Sequence, residues 1–141
     1  MPLLSQEIAD QVEQNLADLA GPVRLVVFTQ EFECQYCAQT RQLVEEVAQL
    51  SDQVTAEIYD FVADKPKADE LGIDKIPALA VMGAEDYGVR FYGIPSGYEF
   101  ASLLHTMKIV ASGQTGLAKE TLGVLRALTE PVHIQVFVTP T

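Results

Sequence analysis

The sequence predicts an α/β domain built on a mixed four-stranded sheet with helices on both faces. Three observations carry that expectation. The run Val23–Phe28 is nearly continuous in apolar character and rich in β-branched residues, and Pro77–Met82 is apolar throughout, as buried strands are. Between and around them, apolar residues recur at helical spacing. Both cysteines of the chain, Cys34 and Cys37, fall where a strand pattern hands over to a helix pattern.

Each element follows from local pattern. Ile8, Val12, Leu16 and Leu19 form one stripe of a helix over residues 5–19, ended by Gly21-Pro22. Residues 23–29 read as a central strand, and a short loop, 30–33, delivers the helix of the cysteines. That helix carries Leu43, Val44, Val47 and Leu50 inward and turns Arg41, Glu45 and Glu46 to water. Residues 54–61 alternate and predict a second strand, parallel to the first across the helical crossover. Asp64 is placed to cap a short helix with Pro66 in its first turn and Gly72 at its end. Residues 77–82 and 89–94, joined through Gly83–Gly88, predict an antiparallel hairpin. Ser96 and Glu99 have capping-box spacing before a helix that packs Phe100, Leu103, Leu104 and Met107 and stops near Gly113.

Composition narrows the function. At 141 residues the chain is about one domain, and 48% apolar content supplies a real core. No run of 18 apolar residues is present, so no membrane-spanning helix is expected. Residues 1–7 lack a basic segment followed by an apolar one, which predicts no secretory signal and a cytoplasmic location. A net charge of −11 argues against nucleic acid as partner; solubility is its plain reading, and a preference for basic protein partners the functional one.

Cys34-Gln35-Tyr36-Cys37 at a helix start reads as a thiol–disulfide redox site. Unpaired N–H groups and the positive end of the helix dipole favour thiolate at Cys34. Cys37, nearly one turn on, is within reach of a mixed disulfide formed at Cys34. Zinc would need four ligands, and the remaining soft ligands, His105 and His133, lie far apart on separate elements. A structural staple is disfavoured because so short a loop constrains little of the unfolded chain; two inert core cysteines are the other bland reading.

The C-terminal stretch repeats the opening of the chain. At a constant offset of 109 residues, Leu16, Leu19, Pro22, Val23, Val27 and Phe28 recur as Leu125, Leu128, Pro131, Val132, Val136 and Phe137. A second helix over 117–128 and a second strand over 132–138 are therefore expected. The stripe Leu117, Leu122, Leu125 and Leu128 and the strand residues Val132, Ile134, Val136 and Val138 are too apolar to stand free. After them comes Thr139-Pro140-Thr141, just short of where a second Cys-x-x-Cys would fall. Pairing with the edge of its own sheet, or a homodimer through residues 115–141, would cover that surface.

Together, Cys34-Gln35-Tyr36-Cys37, the Ile76-Pro77 step and Gly93-Ile94-Pro95-Ser96-Gly97-Tyr98-Glu99-Phe100 resemble the N-terminal unit of the tandem-thioredoxin protein disulfide oxidoreductases, the glutaredoxin-like proteins. The resemblance spans residues 5–138. It implies a thioredoxin-like domain over 1–113, with 114–141 as the helix and strand that open a second unit. It implies Cys34 as nucleophile, Cys37 as resolving thiol and Pro77 as a cis-proline that presents the Ile76 backbone to an extended substrate; a strand-start proline is the plainer reading of Pro77. Gln35 and Tyr36 would flank the substrate. The reaction implied is exchange with protein disulfides, with electrons restored by a reductase flavoprotein and no cofactor on this chain. Reductase, oxidase and isomerase directions all stay open, because Gln35-Tyr36 does not fix the potential. Two departures stand out. Glu33 occupies the position of the usual Trp, and Phe28 the position of the buried strand carboxylate, for which Glu31 or Glu33 would have to substitute. An electron-relay module for a flavoprotein or peroxidase, and a non-catalytic interaction repeat, are the alternatives.

Overall fold

The computed structural model describes residues 1–139; Pro140 and Thr141 lie outside the described residues. Helix α1 (Gln6–Leu16) begins at Ser5, whose Oγ accepts from the Ile8 N–H at 3.3 Å. Strand β1 (Val23–Thr29) is buried except at Arg24, as its near-continuous apolar character requires of a central strand. Helix α2 (Cys37–Ala48) crosses over to β2 (Val54–Asp60), which lies parallel to β1 with Val23 opposite Val54 and Thr29 opposite Asp60. The short α3 (Lys65–Glu70) leads to β3 (Ala78–Met82), antiparallel to β1, and to the edge strand β4 (Arg90–Tyr92). Helix α4 (Tyr98–Ser112) and α5 (Lys119–Arg126) follow. The sheet runs β2-β1-β3-β4.

Strand alternation divides the core in two. Leu25, Val27, Leu79 and Val81 pack under α1, α2 and α4, against Leu16, Val44 and Met107 among others. Val26, Phe28, Ala80 and Met82 point the other way, onto Ala68 of α3 and Ile73. Each such large side chain contributes about 1.5–3 kcal/mol on full burial. The C-terminal end of α4 comes so close to the sheet that only glycine fits beneath it: a Cβ on Gly83 would stand 1.9 Å from the Val110 carbonyl oxygen.

Several local expectations need correction. Ser96 does not cap α4. Gly97 is the N-cap, at φ 61°, with no side-chain cap bond. Ser96 instead closes a tight turn by donating its N–H to Ile94 O at 2.9 Å. Asp64 precedes α3, but its Oδ2 accepts from the Asp60 N–H at 2.8 Å rather than capping the helix. Gly72 does follow α3 in the left-handed conformation, at φ 67°. Glu46 does not simply face water: its carboxylate accepts from the Leu3 and Leu4 N–H groups at 2.9–3.0 Å and ties the N-terminus to α2.

The largest difference is at the C-terminus. The expected helix forms as α5, yet residues 132–138 make no strand. A strand is stable only when a neighbour takes its hydrogen bonds, and 132–138 pairs neither with β4 nor with β2. The equivalents of buried Leu16, Val23, Val27 and Phe28 are exposed here, Phe137 to 90% where Phe28 is at 0%. At the far end, Val138 and Thr139 share a groove with Ile94 and Tyr98.

Candidate functional site

The site is assembled where β1 ends. The chain leaves the sheet after Thr29, and Gln30 Nε2 donates to Phe32 O at 2.6 Å. Glu33 then takes φ 56°, the left-handed region that a side chain occupies at a cost of about 1–3 kcal/mol and that recurs at functional turns. This reversal explains a further correction. Cys34 does not lie in the first turn of α2; the helix begins at Cys37, with Tyr36 as N-cap at ψ 6°. Thr40, fully buried, fastens that start: its Oγ1 and its N–H both donate to Tyr36 O, at 2.7 and 2.9 Å.

Cys34 and Cys37 are joined in a disulfide with Cα atoms 5.5 Å apart. They are not equivalent. Cys34 is half-buried at the mouth of the loop, whereas Cys37 is 2% exposed and belongs to the core-facing side of α2. The N–H groups of the first turn, from Cys37 on, have no intrahelical acceptor and present partial positive charge toward the pair.

Cys34 and Cys37 both line a cleft of about 520 Å³, together with Glu31, Arg41 and the β2 residues Tyr59 and Asp60. Phe28, standing where the resemblance implied a carboxylate, stacks on Tyr59 with ring centroids 5.4 Å apart. No acid therefore sits beneath Cys37 on β1. Of the two substitutes considered from sequence, Glu31 lines the cleft, while Glu33 lines a shallower groove beside it with Asp60 and Val62.

Gln35 and Tyr36 are exposed between the cysteines. The Ile76–Pro77 peptide bond is cis. Pro77 immediately precedes Ala78, which faces Phe28 across the β1–β3 ladder, so Pro77 stands at the sheet end from which the cysteine loop departs. Its carbonyl accepts from the Gly93 N–H at 2.9 Å, and Lys75 Nζ lies 4.6 Å over the Tyr92 ring beside it. The two sequence motifs thus share one end of the sheet, although Ile76 and Pro77 do not line the cleft. Sequence reasoning passed over Arg41, Tyr59 and Asp60. The only hint of Asp60 was an acid at the end of an alternating strand.

The family model of the thioredoxin domain matches residues 24–105. A protein of Methanothermobacter thermautotrophicus named "Probable Thioredoxin" is 36% identical over 78 residues, covering 55% of this chain and 86% of that one. The chain belongs to the thioredoxin domain family. A protein of the same name from Methanothermobacter marburgensis is 33% identical over 78 residues. Among solved structures, a protein disulfide oxidoreductase from Aeropyrum pernix superposes with a TM-score of 0.79 at 25% identity, over 88% of this chain and 55% of that one. The NTD_N/C domain of the alkylhydroperoxide reductase AhpF from Enterococcus faecalis gives 0.78 at 25% identity, over 90% and 62%. This thioredoxin domain therefore spans little more than half the length of the structures it resembles. With its Cys-x-x-Cys disulfide at the strand–helix junction, it is a thiol–disulfide oxidoreductase unit. Among the described residues no helix is long and apolar enough to cross a membrane.

Proposed function

We propose that this thioredoxin domain exchanges electrons with protein disulfides, Cys34 attacking and Cys37 resolving. The observation that carries the reading is the asymmetry of the pair, Cys34 half-buried and Cys37 almost wholly buried on the same cleft. Cys34 thiolate attacks a substrate sulfur to give a mixed disulfide; Cys37 displaces it, leaving reduced substrate and the Cys34–Cys37 disulfide. Gln35, Tyr36 and the Ile76-Pro77 backbone are the surfaces for an extended substrate, supported by the exposure of Gln35 and Tyr36 and by the sheet end they share with Pro77, which is itself buried. Reduction of insulin disulfides by dithiothreitol tests this. The chain should accelerate it and Cys34→Ser should not; an inactive wild type would leave only an interaction domain.

The likeness to the AhpF domain supports a narrower second reading, an electron-relay module serving a flavoprotein or peroxidase. Turnover with a purified thioredoxin reductase separates a general reductase, which accepts electrons from it, from a dedicated relay, which does not. Residues 1–113 are the redox unit in either case, and 114–141 correspond to the opening of a second unit, a reading supported by the 109-residue offset. The exposed apolar side chains of α5 and the segment after it support self-association through that region.

A further inference from the structure

We propose that Asp60 is the proton acceptor for Cys37 in the resolving step, acting through water in the cleft that both residues line; this rests on the reading of Cys37 as the resolving thiol. A thiol shielded as deeply as Cys37 attacks only as thiolate. Its proton must go somewhere, and β1 offers no carboxylate, since Phe28 and Tyr59 fill that space with stacked rings.

The ionisable groups around the cleft are Glu31 and Glu33 from the loop, Arg41 from α2, Tyr59 and Asp60 from β2, and Asp64 just beyond. Arg41 is a cation whose Nε already donates to Glu45 at 2.9 Å. Tyr59 directs its hydroxyl to Glu57, Glu33 opens on the neighbouring groove, and the Asp64 Oδ2 is taken by the Asp60 N–H. Glu31 lines the cleft but lies exposed in the loop, with no side-chain hydrogen bond among the described residues.

Asp60 is an acid of the cleft held by its own hydrogen bonds. The parallel register sets it opposite Thr29, at the sheet end where the cysteine loop starts. Its Oδ1 accepts from the Val62 and Ala63 N–H groups at 2.9 and 2.7 Å, and among the described residues no hydrogen bond engages Oδ2. A volume of about 520 Å³ admits several waters, each needing about 30 Å³, to bridge carboxylate and thiol.

The step balances without a further reagent. At the mixed disulfide, the Cys37 thiol gives its proton through water to the Asp60 carboxylate. The thiolate attacks Cys34 Sγ, the Cys34–substrate S–S bond breaks, and the Cys34–Cys37 bond forms. The substrate leaves as a thiolate and takes up a proton from the protonated carboxyl or from solvent. Two thiols of the domain have then supplied the two electrons that reduce one substrate disulfide.

Stopped-flow mixing of the reduced full chain with dithionitrobenzoate resolves the two halves. The first thionitrobenzoate released reports attack by Cys34, and the second reports resolution by Cys37. With Asp60 as acceptor, the second phase of the wild type should be nearly independent of pH between about 6 and 8. In Asp60→Asn, whose amide oxygen still accepts the two turn N–H groups, it should be at least about tenfold slower at pH 7, within the range general bases supply. It should also climb roughly tenfold per pH unit with the thiolate fraction, while the first phase is unchanged. An Asp60→Asn second phase with wild-type rate and pH profile overturns the proposal, as does the same loss in Glu31→Gln but not in Asp60→Asn. Should Asp60→Asn not fold, Asp60→Glu must change the rate and keep the flat profile; a hydroxide-like slope there overturns it equally. A wild type that releases neither equivalent overturns the reading of the cysteines and this inference with it.

Discussion

Arg90 holds Asp86 across the β3–β4 turn with both carboxylate oxygens engaged, Nη2 2.6 Å from Oδ2 and Nη1 2.9 Å from Oδ1. The same guanidinium donates through Nε and Nη2 to the Leu71 carbonyl at 3.2 and 3.1 Å, so the turn, the edge strand and the end of α3 are joined through one side chain. The Arg90 hydrogen bond holds the Asp86 carboxyl down to about 2 from 3.8, outweighing burial, with help from the Gly88 N–H.

A depressed carboxylate stabilises the fold above its unfolded value and loses that contribution as pH falls through its folded value. Asp86→Asn should therefore cost about 1 kcal/mol at neutral pH. The difference from wild type should shrink between about pH 4 and pH 2, the window between the two carboxyl values. Urea unfolding at pH 7 and pH 2 checks it. An equal difference at both pH values would mean that the pair is not the cause.

The unequal exposure of the cysteines predicts their chemistry. In the reduced chain at neutral pH, iodoacetamide should label Cys34 well before Cys37, and mass mapping of the labelled peptide reads this directly. Cys37→Ser should accumulate mixed disulfides through Cys34. Faster labelling of Cys37 would reverse the roles.

Gly83 lies where the end of α4 passes close to the end of β3, and a methyl group there would collide with backbone that cannot rotate away. Gly83→Ala should lower the unfolding free energy by about 1–3 kcal/mol, the usual cost of overpacking, visible as a lower urea midpoint. Wild-type stability in that variant would show that α4 has room to move.

Helix α5 has no buried residue. A chain ending at Gly113 should keep the unfolding free energy of the full chain. Sedimentation should show the full chain larger than a monomer and the shortened one monomeric. A monomeric full chain would argue against association through residues 115–141.

How far the sequence carried depended on whether a signal was local. The run at 23–29 was legible because a strand buried on both faces has few alternatives, and the crossover to residues 54–60 followed from it. The start of α2 was not. Whether a helix begins at Cys34 or Cys37 is decided by Glu33 entering the left-handed region, and a glutamate gives no sign of that. Ser96 had the right residue type and spacing for a cap, but the helix starts one residue later, behind Gly97 at a φ of 61° that favours glycine. Asp60 was invisible as a site residue because its neighbourhood comes from β1, α2 and the loop, joined only by the fold. The strand expected at 132–138 failed for the converse reason: its pattern is right, and the neighbour that would complete it is not in the described residues.

The 109-residue offset has a kinetic side. Pro22–Phe28 and Pro131–Phe137 present closely similar apolar patterns, and the central slot between β2 and β3 admits one of them. While the chain collapses, two segments compete for one place, a form of frustration written into the polypeptide. Synthesis from the N-terminus gives the earlier segment its head start, and its short crossover to β2 closes a smaller loop than the later one must. The later segment, arriving at an occupied sheet, is left as a decoy on the surface.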